Sequence, residues 1–277
     1  MLLRQIQKEK WNNFLKNKSH SVFQTYEWAK IMETEEWHPI WLINEDFSGG
    51  MVLMENHDHT QYESMRLGCY GGVIGEQVNL TELMSTEINY IRIFDYFETT
   101  KCEGWDKQYV SNYIINLDNY RLSNGRRDDL RLAKKEGLKL VETKDLDKFY
   151  KVFVEGIKKF PDTQYIKPIE FFQKMMDSGF VKFHLVLKGD KAVGCSAHIY
   201  YNGEIFGYTA QSLPEYNRMG VTTFNLQEVI NQSPESKTYN FGVGINDGNK
   251  FFKTSWGAKE HQYPIYGIIF KTNYEYA

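Results

Sequence analysis

The sequence predicts a mixed α/β protein of two similar units, each a mixed, mainly antiparallel sheet flanked by helices. The first observation is a strand–turn–strand pattern that occurs twice, with extended apolar runs on both sides of a short polar turn. The paired runs are 40–44 with 51–55, and 183–188 with 192–200. The second observation is that apolar residues between these hairpins recur at the helical period of 3.6 residues. Each half of the chain is therefore expected to contain a sheet and helices.

The repeated hairpin also predicts the domain organisation. We expect an N-terminal domain over residues 1–140 and a C-terminal domain over residues 141–277, with the join near residues 137–145. Helical periodicity, caps and prolines predict helices at 3–17, 80–98, 146–157 and 169–176. Extended patterns predict further strands at 64–67, 105–110, 113–117, 205–210 and 264–270.

Composition limits the class of protein. With 277 residues, 42% of them hydrophobic and 16% aromatic, the chain can bury a large core. A formal net charge of −3 gives no general attraction for nucleic acid or an anionic membrane. The three cysteines lie far apart without a CxxC pair, so no disulfide framework or thiolate zinc site is expected. The sequence has no signal-peptide pattern and no run of about 18 apolar residues, so we expect a cytoplasmic protein without membrane insertion.

The most informative stretch is Tyr239–Ala258, which reads YNFGVGINDGNKFFKTSWGA. Alternation predicts a strand that ends at its glycines, and a short helix follows over residues 248–256, with Asp247 as its N-cap. Lys253 lies in this helix, one position from an aromatic face. Its stem can simply cover apolar surface, or its ammonium can reach a cleft at the end of the strand.

Two N-terminal elements are candidates for substrate binding. Trp28 follows Phe23-Gln24 in a short apolar segment, where both aromatic residues can also serve as core anchors. Gly71 and Gly72 lie in a glycine cluster after a strand, which allows either a tight turn or close approach of a ligand to the backbone.

The most basic stretch of the chain lies between residues 121 and 137. It predicts a helix closed by Gly137, and its arginines are spaced three to four residues apart. Such spacing suits a bidentate grip on phosphate, for which Arg127 and Arg131 are the preferred residues. A solvated helix face is the alternative.

A glycine at the start of a later helix predicts a possible donor site. Arg218, Gly220 and Thr222 precede or open this helix, and bare backbone N–H groups at a helix start suit a pyrophosphate. An ordinary turn before a helix explains the same residues. Glu204, Tyr208 and Asp247 stand at predicted element ends where a general acid or base could lie.

Taken in order, these motifs resemble the Fem-type aminoacyltransferases of the GNAT acyltransferase superfamily. The resemblance lies in Phe252-Lys253 followed by Trp256-Gly257, where the family pattern ends in Phe-Gly, and in Arg127-Asp128-Asp129-Leu130-Arg131-Leu132-Ala133-Lys134-Lys135-Glu136-Gly137. It implies tandem GNAT-like domains, a role in cell-wall biogenesis, and either acyl-CoA or aminoacyl-tRNA as donor. It also implies an acceptor pocket near Gly71-Gly72, with the loop at residues 160–163 on its acceptor side, and a phosphate-bearing substrate near the arginines.

We therefore expect an acyl- or aminoacyl-transferase that forms an amide on an amino group of a sugar nucleotide, peptide or cell-wall or polysaccharide precursor. In this hypothesis Lys253 opposes the oxyanion that develops on the acyl carbon. The alternative is a catalytically silent module that binds a nucleotide or peptide on the same scaffold. The His57-Asp58-His59 motif lacks a third ligand nearby, so no metal site is expected.

Overall fold

The strands and helices of the chain fall into two units in the computed structural model, which describes residues 1–65, 69–84, 88–158 and 166–269. The first unit contains Met1–Val110 and the segment that begins at Gln262, and the second contains Ser111–His261. Residues 111–140 thus belong to the second unit, because the basic helix within them packs on other elements of that unit. The division of the chain into two tandem domains at residue 140 stays a prediction.

The first unit is built on a mixed sheet. Its strands are β1 (Leu2–Leu3), β2 (Trp37–Ile43), β3 (Gly49–Asn56), β4 (Gln61–Glu63), β5 (Ile74–Gly75), β6 (Tyr90–Phe94), the start of β7 (Asp106–Asn116), and the end of β13 (Lys259–Ile269). Spatial order within the sheet is β1-β2-β3-β4-β6-β13, with β4 and β6 parallel and the other neighbours antiparallel. The predicted hairpin at residues 40–55 is confirmed as β2 and β3.

Two helices, α1 (Lys8–Leu15) and α2 (Tyr26–Met32), belong to this unit. Trp11 of α1 and Trp28 of α2 are fully buried and, with Trp41 of β2, form part of the core. The Thr25 hydroxyl accepts the backbone N–H of Trp28 and so caps α2. The predicted helix over residues 3–17 is wrong in its first turn, since residues 2–3 pair with β2 as a strand.

The second unit has six strands and five helices among the residues described. Its helices are α3 (Asn124–Lys135), α4 (Leu146–Ile157), α5 (Ile169–Asp177), α6 (Val221–Asn231) and α7 (Asp247–Thr254). Besides the end of β7, its strands are β8 (Leu138–Glu142), β9 (Val181–Lys188), β10 (Lys191–Tyr201), β11 (Glu204–Ser212) and β12 (Thr238–Val243). The sheet order is β8-β9-β10-β11-β12-β7, and only β11 and β12 are parallel to each other.

Two apolar clusters stabilise this sheet. Helices α4 and α5 bring Phe149 and Phe172 against Phe183 of β9, with ring centroids 4.8 Å and 6.3 Å from that of Phe183. Helix α6 packs Leu226 and Val229 into a second cluster with strand residues of β11 and β12. Burial of such side chains contributes roughly 1.5–3 kcal/mol each. The second cluster also contains Trp256, which follows α7.

The helix predicted over residues 80–98 is wrong. Residues 80–83 form one 3-10 turn and residues 90–94 form β6, while residues 85–87 lie outside the described part of the chain. Ile91 and Ile93 alternate with partly exposed residues and are fully buried, which is the two-residue period of a strand. Pairing with β4 and β13 therefore overrides the weaker helical pattern. The predicted strand at residues 64–67 and the loop at residues 160–163 include residues outside the described part.

Every helix is too short or too polar to cross a membrane in the described residues 1–65, 69–84, 88–158 and 166–269.

Candidate active site

The side chain of Lys253 is buried at the end of strand β12. It projects from α7, is only 5% exposed, and its Nζ donates hydrogen bonds to the carbonyl oxygens of Gly242 at 3.0 Å and Val243 at 2.5 Å. An ammonium carries three donors, so two are used by the strand end and one remains for a further acceptor. The ring centroid of Tyr113 lies 5.8 Å from the same nitrogen.

The carbonyls that Lys253 meets lie where β12 no longer pairs with β11, although it still pairs with β7. Its register with β11 ends at the pair Phe206↔Asn240, and no further pair between the two strands occurs within residues 166–269. The pairing of β12 with β7 shifts between Asn240 and Val243, and Gly242 takes a positive φ of 66°. The Asn240 side chain accepts the N–H of Gly242 at 2.9 Å. Two parallel strands thus separate at their carboxyl ends, beside the amine.

Burial changes the acid–base behaviour of Lys253. Desolvation lowers its pKa from 10.5 to about 8, because a charged amine is less favourable away from water. At pH 7 the amine remains protonated in about nine molecules of ten, so it is a buried cation under neutral conditions. A fixed cation of this kind can oppose negative charge that develops on a neighbouring oxygen.

Helix α7 owes its position to aromatic packing and to one arginine. Phe252 packs against Phe241 of β12 and against Trp256, and each pair of ring centroids is 6.4 Å apart. The guanidinium of Arg126, from α3, lies 4.8 Å from the centre of the Phe252 ring, within cation–π range. Trp256 is fully buried. The predicted N-cap, Asp247, is wrong by one residue, since the side chain of Asn246 accepts the N–H of Asn249.

Arg126 also ties α3 to α6. Its Nη1 lies 2.8 Å from Oδ2 of Asp129 and donates to Oγ1 of Thr223 at 2.9 Å. The Thr223 hydroxyl in turn donates to the same Asp129 oxygen at 2.9 Å. Sequence reasoning preferred Arg127 and Arg131 and missed this cluster. The three-residue spacing of Arg126 and Asp129 was visible, but Thr223 lies almost a hundred residues further along and only the fold brings it near.

The predicted donor-site residues Arg218, Gly220 and Thr222 lie where α6 begins. Gly220 takes a positive φ of 68°, and a side-chain carbon added there would lie 2.4 Å from the backbone oxygen of Asp129. Helix α3 therefore covers this glycine, and the Asp129 carboxylate lies beside the first turn of α6. Arg218 is exposed and Thr222 is partly buried. A carboxylate at this position already complements the positive end of the helix dipole.

The two preferred arginines of α3 have different surroundings. Arg131 is 78% exposed and its Nη1 lies 2.7 Å from Oδ1 of Asp128. Arg127 is also exposed, and its Nη2 donates to Oδ1 of the neutral Asn124 side chain. Of the other ionisable candidates, Glu204 accepts from the Asn240 amide at 3.4 Å and Asp247 is exposed in the first turn of α7.

The N-terminal candidates Trp28, Gly71 and Gly72 lie together in the first unit. Trp28 is fully buried, and its ring centroid is 5.0 Å from that of Phe23. Gly72 has a φ of 110°, and a side-chain carbon there would lie 2.3 Å from Oδ1 of the buried Asp95. The Gly72 carbonyl accepts the Gln24 amide at 3.0 Å. These contacts give the Phe23-Gln24 segment and Gly72 a structural role in the packing of the first unit.

Metal ligation gains no support from the described residues. No group of three or more His, Cys, Asp or Glu side chains suited to a metal ion occurs in the part of the chain that is described. In the His-x-His motif, Nδ1 of His59 lies 3.1 Å from Oε2 of Glu55, a carboxylate that Arg4 also binds.

Comparison with known proteins identifies the fold. No family model matches the sequence, and no curated protein does. The fold is similar to that of a tandem GNAT protein from the clavulanic acid biosynthesis pathway, which is 7% identical, with a TM-score of 0.51 over 87% of this chain and 86% of that one.

Two further solved structures are more similar. FemX is 13% identical, with a TM-score of 0.63 over 95% of this chain and 96% of FemX. The C-terminal domain (DUF2156) of a putative lysylphosphatidylglycerol synthetase from Agrobacterium fabrum is 10% identical, with a TM-score of 0.66 over 94% and 91% of the two chains. The predicted mixed α/β, GNAT-like fold is confirmed, and so is the resemblance to Fem-type proteins at the level of the fold.

Proposed function

We propose that the protein is an N-acyltransferase that joins an acyl or aminoacyl group to an amino group of its acceptor. The observation that carries this proposal is the buried amine of Lys253 beside the separated ends of β11 and β12. The shared fold with FemX and with the lysylphosphatidylglycerol synthetase domain supports a transferase of this kind. The acceptor class is a sugar nucleotide, a peptide or another cell-wall or polysaccharide precursor.

In the proposed reaction the acceptor nitrogen attacks the acyl carbon as a neutral amine. As the amide forms, the bond from that carbon to the donor's oxygen or sulfur breaks, the leaving oxygen or sulfur takes the electron pair, and the proton lost by the nitrogen ends on it. Negative charge develops on the carbonyl oxygen during the attack. The free N–H of the Lys253 ammonium is the group proposed to receive it. One such donor in a partly dry site is worth about 2.7–4 kcal/mol, or roughly 10²–10³ in kcat.

Acyl-CoA and aminoacyl-tRNA both remain donors to be tested. The packing of α3 on Gly220 weighs against a pyrophosphate there, because the backbone oxygen of Asp129 already occupies the space beside this glycine. We therefore favour the aminoacyl-tRNA donor. The predicted substrate-binding role of Trp28, Gly71 and Gly72 is not part of this proposal, because all three residues are buried.

The test is an assay of amide formation with both donors against amine-bearing acceptors. Lys253→Met removes the charge and keeps most of the stem, and kcat is expected to fall by roughly 10²–10³. Lys250→Met is the matched control, because Lys250 lies on the same helix but is exposed. Circular dichroism and urea titration report whether each variant is folded. A folded Lys253→Met protein with full turnover contradicts the mechanism.

One observation favours the second candidate, a binding module without turnover. Lys253 uses two of its three donors to satisfy strand-end carbonyls, which is a structural task in itself. This candidate predicts that acceptors bind and that no donor in the panel yields an amide. Lys253→Arg keeps charge and donors, so it should preserve folding in both cases.

A further inference from the structure

Tyr113 of β7 lies opposite an irregularity in β12, at the point where the buried amine of α7 reaches that strand. The register of β7 with β12 shifts between Asn240 and Val243. As a result, two residues of β12, Phe241 and Gly242, lie opposite Tyr113 alone, which is a β-bulge. Bulges redirect side chains and are common next to active sites. The carbonyl of Gly242 is one of the two that the amine binds, so Tyr113 and the amine meet at the same bulge.

The ring of Tyr113 is held in place by close packing. The side chain is only 5% exposed, and the ring centre lies 5.8 Å from Nζ of Lys253, within cation–π range. A side-chain carbon on Gly244 would lie 2.5 Å from Cε2 of the ring, so this glycine makes room for it. Beyond the bulge, the N–H of Gly244 donates to the carbonyl of Ser111 at 3.3 Å, so β7 and β12 are joined again there. These contacts fix the ring beside the amine.

The hydroxyl of Tyr113 has different surroundings from the ring. Among residues 1–65, 69–84, 88–158 and 166–269, no protein group forms a hydrogen bond with it, and it is not one of the enclosed polar atoms without a partner. The small exposed part of this side chain therefore includes the hydroxyl oxygen. In contrast, the hydroxyl of the buried Tyr62 bonds to Glu55. Buried tyrosines usually pair their hydroxyl, so the hydroxyl of Tyr113 is available to an atom of a bound substrate.

The proposed reaction includes one task that has no residue assigned to it. With an aminoacyl-tRNA donor the leaving group is a ribose oxygen, which would leave as a strongly basic alkoxide. The bond from the acyl carbon to this oxygen therefore breaks readily only if the oxygen receives a proton during the step. The free N–H of Lys253 is already assigned to the carbonyl oxygen. The hydroxyl of Tyr113 is a second donor beside it, on a different strand.

We propose that Tyr113 is the general acid of the reaction and donates its hydroxyl proton to the leaving oxygen of an aminoacyl ester. The proposal rests on the proposed function and adds the residue that protonates its leaving group. As the C–O bond breaks, the leaving oxygen keeps the electron pair of that bond and takes the proton of Tyr113. The proton lost by the acceptor nitrogen then restores the phenol. The net transfer is thus one proton from the nitrogen to the leaving oxygen.

Amide formation from two aminoacyl-tRNA donors tests this assignment. Both carry the same amino acid on the terminal adenosine, through the 3′-oxygen in one donor and through a 3′-sulfur in the other. A lysine-containing peptide and an amino-sugar nucleotide serve as acceptors. Tyr113→Phe keeps the ring and removes the hydroxyl, so kcat with the oxygen ester should fall by roughly 10²–10⁴. With the sulfur ester the same variant should stay within about threefold of the unaltered protein, because a thiolate leaves without a proton.

Two further variants serve as controls. Tyr150→Phe removes the same atom from a partly buried tyrosine of α4, whose ring packs near those of Phe153 and Phe172, and should leave turnover unchanged with both donors. Lys253→Met should lose turnover with both donors, because the oxyanion develops whether oxygen or sulfur leaves. Circular dichroism and urea titration report whether each variant is folded.

Equal losses with both donors in Tyr113→Phe overturn the assignment, since they would indicate that the hydroxyl does not act on the leaving group. Full activity of the folded variant with the oxygen ester overturns it too and leaves the proposed function standing. A displaced pH limb near 8 in Tyr113→Phe would indicate that Tyr113 acts through Lys253 instead. If the unaltered protein forms an amide only from acyl-CoA, this inference alone fails; if it forms none from any donor, the proposed function fails with it.

Discussion

Lowering the pH is expected to destabilise the second unit through two histidines buried in its sheet. His184 of β9 and His198 of β10 are 2% and 0% exposed, and their ring centroids are 5.6 Å apart. Nε2 of His198 lies 3.0 Å from the Tyr239 hydroxyl. Within the described residues, Nδ1 of each histidine has no hydrogen-bond partner. Neither ring is therefore prepared to carry a positive charge.

The size of the effect follows from His184. Burial, assisted by the charge of Lys182, lowers the pKa of His184 from 6.5 to about 4. Between these values the unfolded chain binds a proton that the folded chain does not, so stability is complete above pH 6.5 and falls as the pH decreases. The full difference corresponds to about 3 kcal/mol, of which about 2 kcal/mol is lost between pH 7 and pH 5. Burial also lowers the pKa of His198, so it adds in the same direction.

Urea unfolding at pH 7 and pH 5, followed by circular dichroism, measures this loss. His184→Gln removes the titrating group, so the decrease in unfolding free energy over this interval should be smaller than in the unaltered protein by about 2 kcal/mol. Comparing the two proteins cancels the titration of carboxylates they share. An equal decrease in both would refute the assignment of the acid sensitivity to His184.

Three further predictions concern single residues. Gly72→Ala should destabilise the first unit by about 1–3 kcal/mol in urea unfolding, because the positive φ of Gly72 and the nearby Asp95 carboxylate exclude a side chain. Gly125→Ala is the control: Gly125 has open space around it, so this variant should be neutral or slightly more stable. Arg126→Gln should cost about 1–3 kcal/mol by the same measurement, and Arg126→Lys should restore only part of it, since an ammonium cannot form the same fork over an aromatic ring. If Lys253 acts as a cation, kcat should fall as the pH rises through about 8, and Lys253→Arg should move that limb upward. A rise in rate through pH 8 that is lost in Lys253→Arg would identify the neutral amine as a base instead, because deprotonation of the acceptor amine raises the rate of both proteins.

Sequence patterns were most reliable where one segment carries its own signal. The hairpin of β9 and β10 and the helix α4 appear close to their predicted positions, because alternation and helical periodicity reflect which face is buried. The failure at residues 80–98 has the same origin, since isoleucines spaced by two and by three residues fit both periods. Only the partners β4 and β13 decide between them.

The candidate site divides in a similar way. The order of motifs in the sequence was enough to single out Lys253 and the basic helix, and to predict the class of fold. The sequence could not predict whether the Lys253 side chain is exposed or buried, because its burial depends on the separation of β12 from β11. The sequence also did not show which arginines of α3 form ion pairs with aspartates.

The sequence by itself determined the hairpins β2–β3 and β9–β10 and the helix α4, because these elements depend on residues close to one another along the backbone. The order of its motifs also predicted the class of fold. Tertiary structure alone decided the burial and lowered pKa of Lys253 and the contacts of Arg126 and Asp129 with Thr223 of α6. Charge interactions and desolvation act through space over a few ångströms, and residues far apart in sequence reach those distances only in the folded chain.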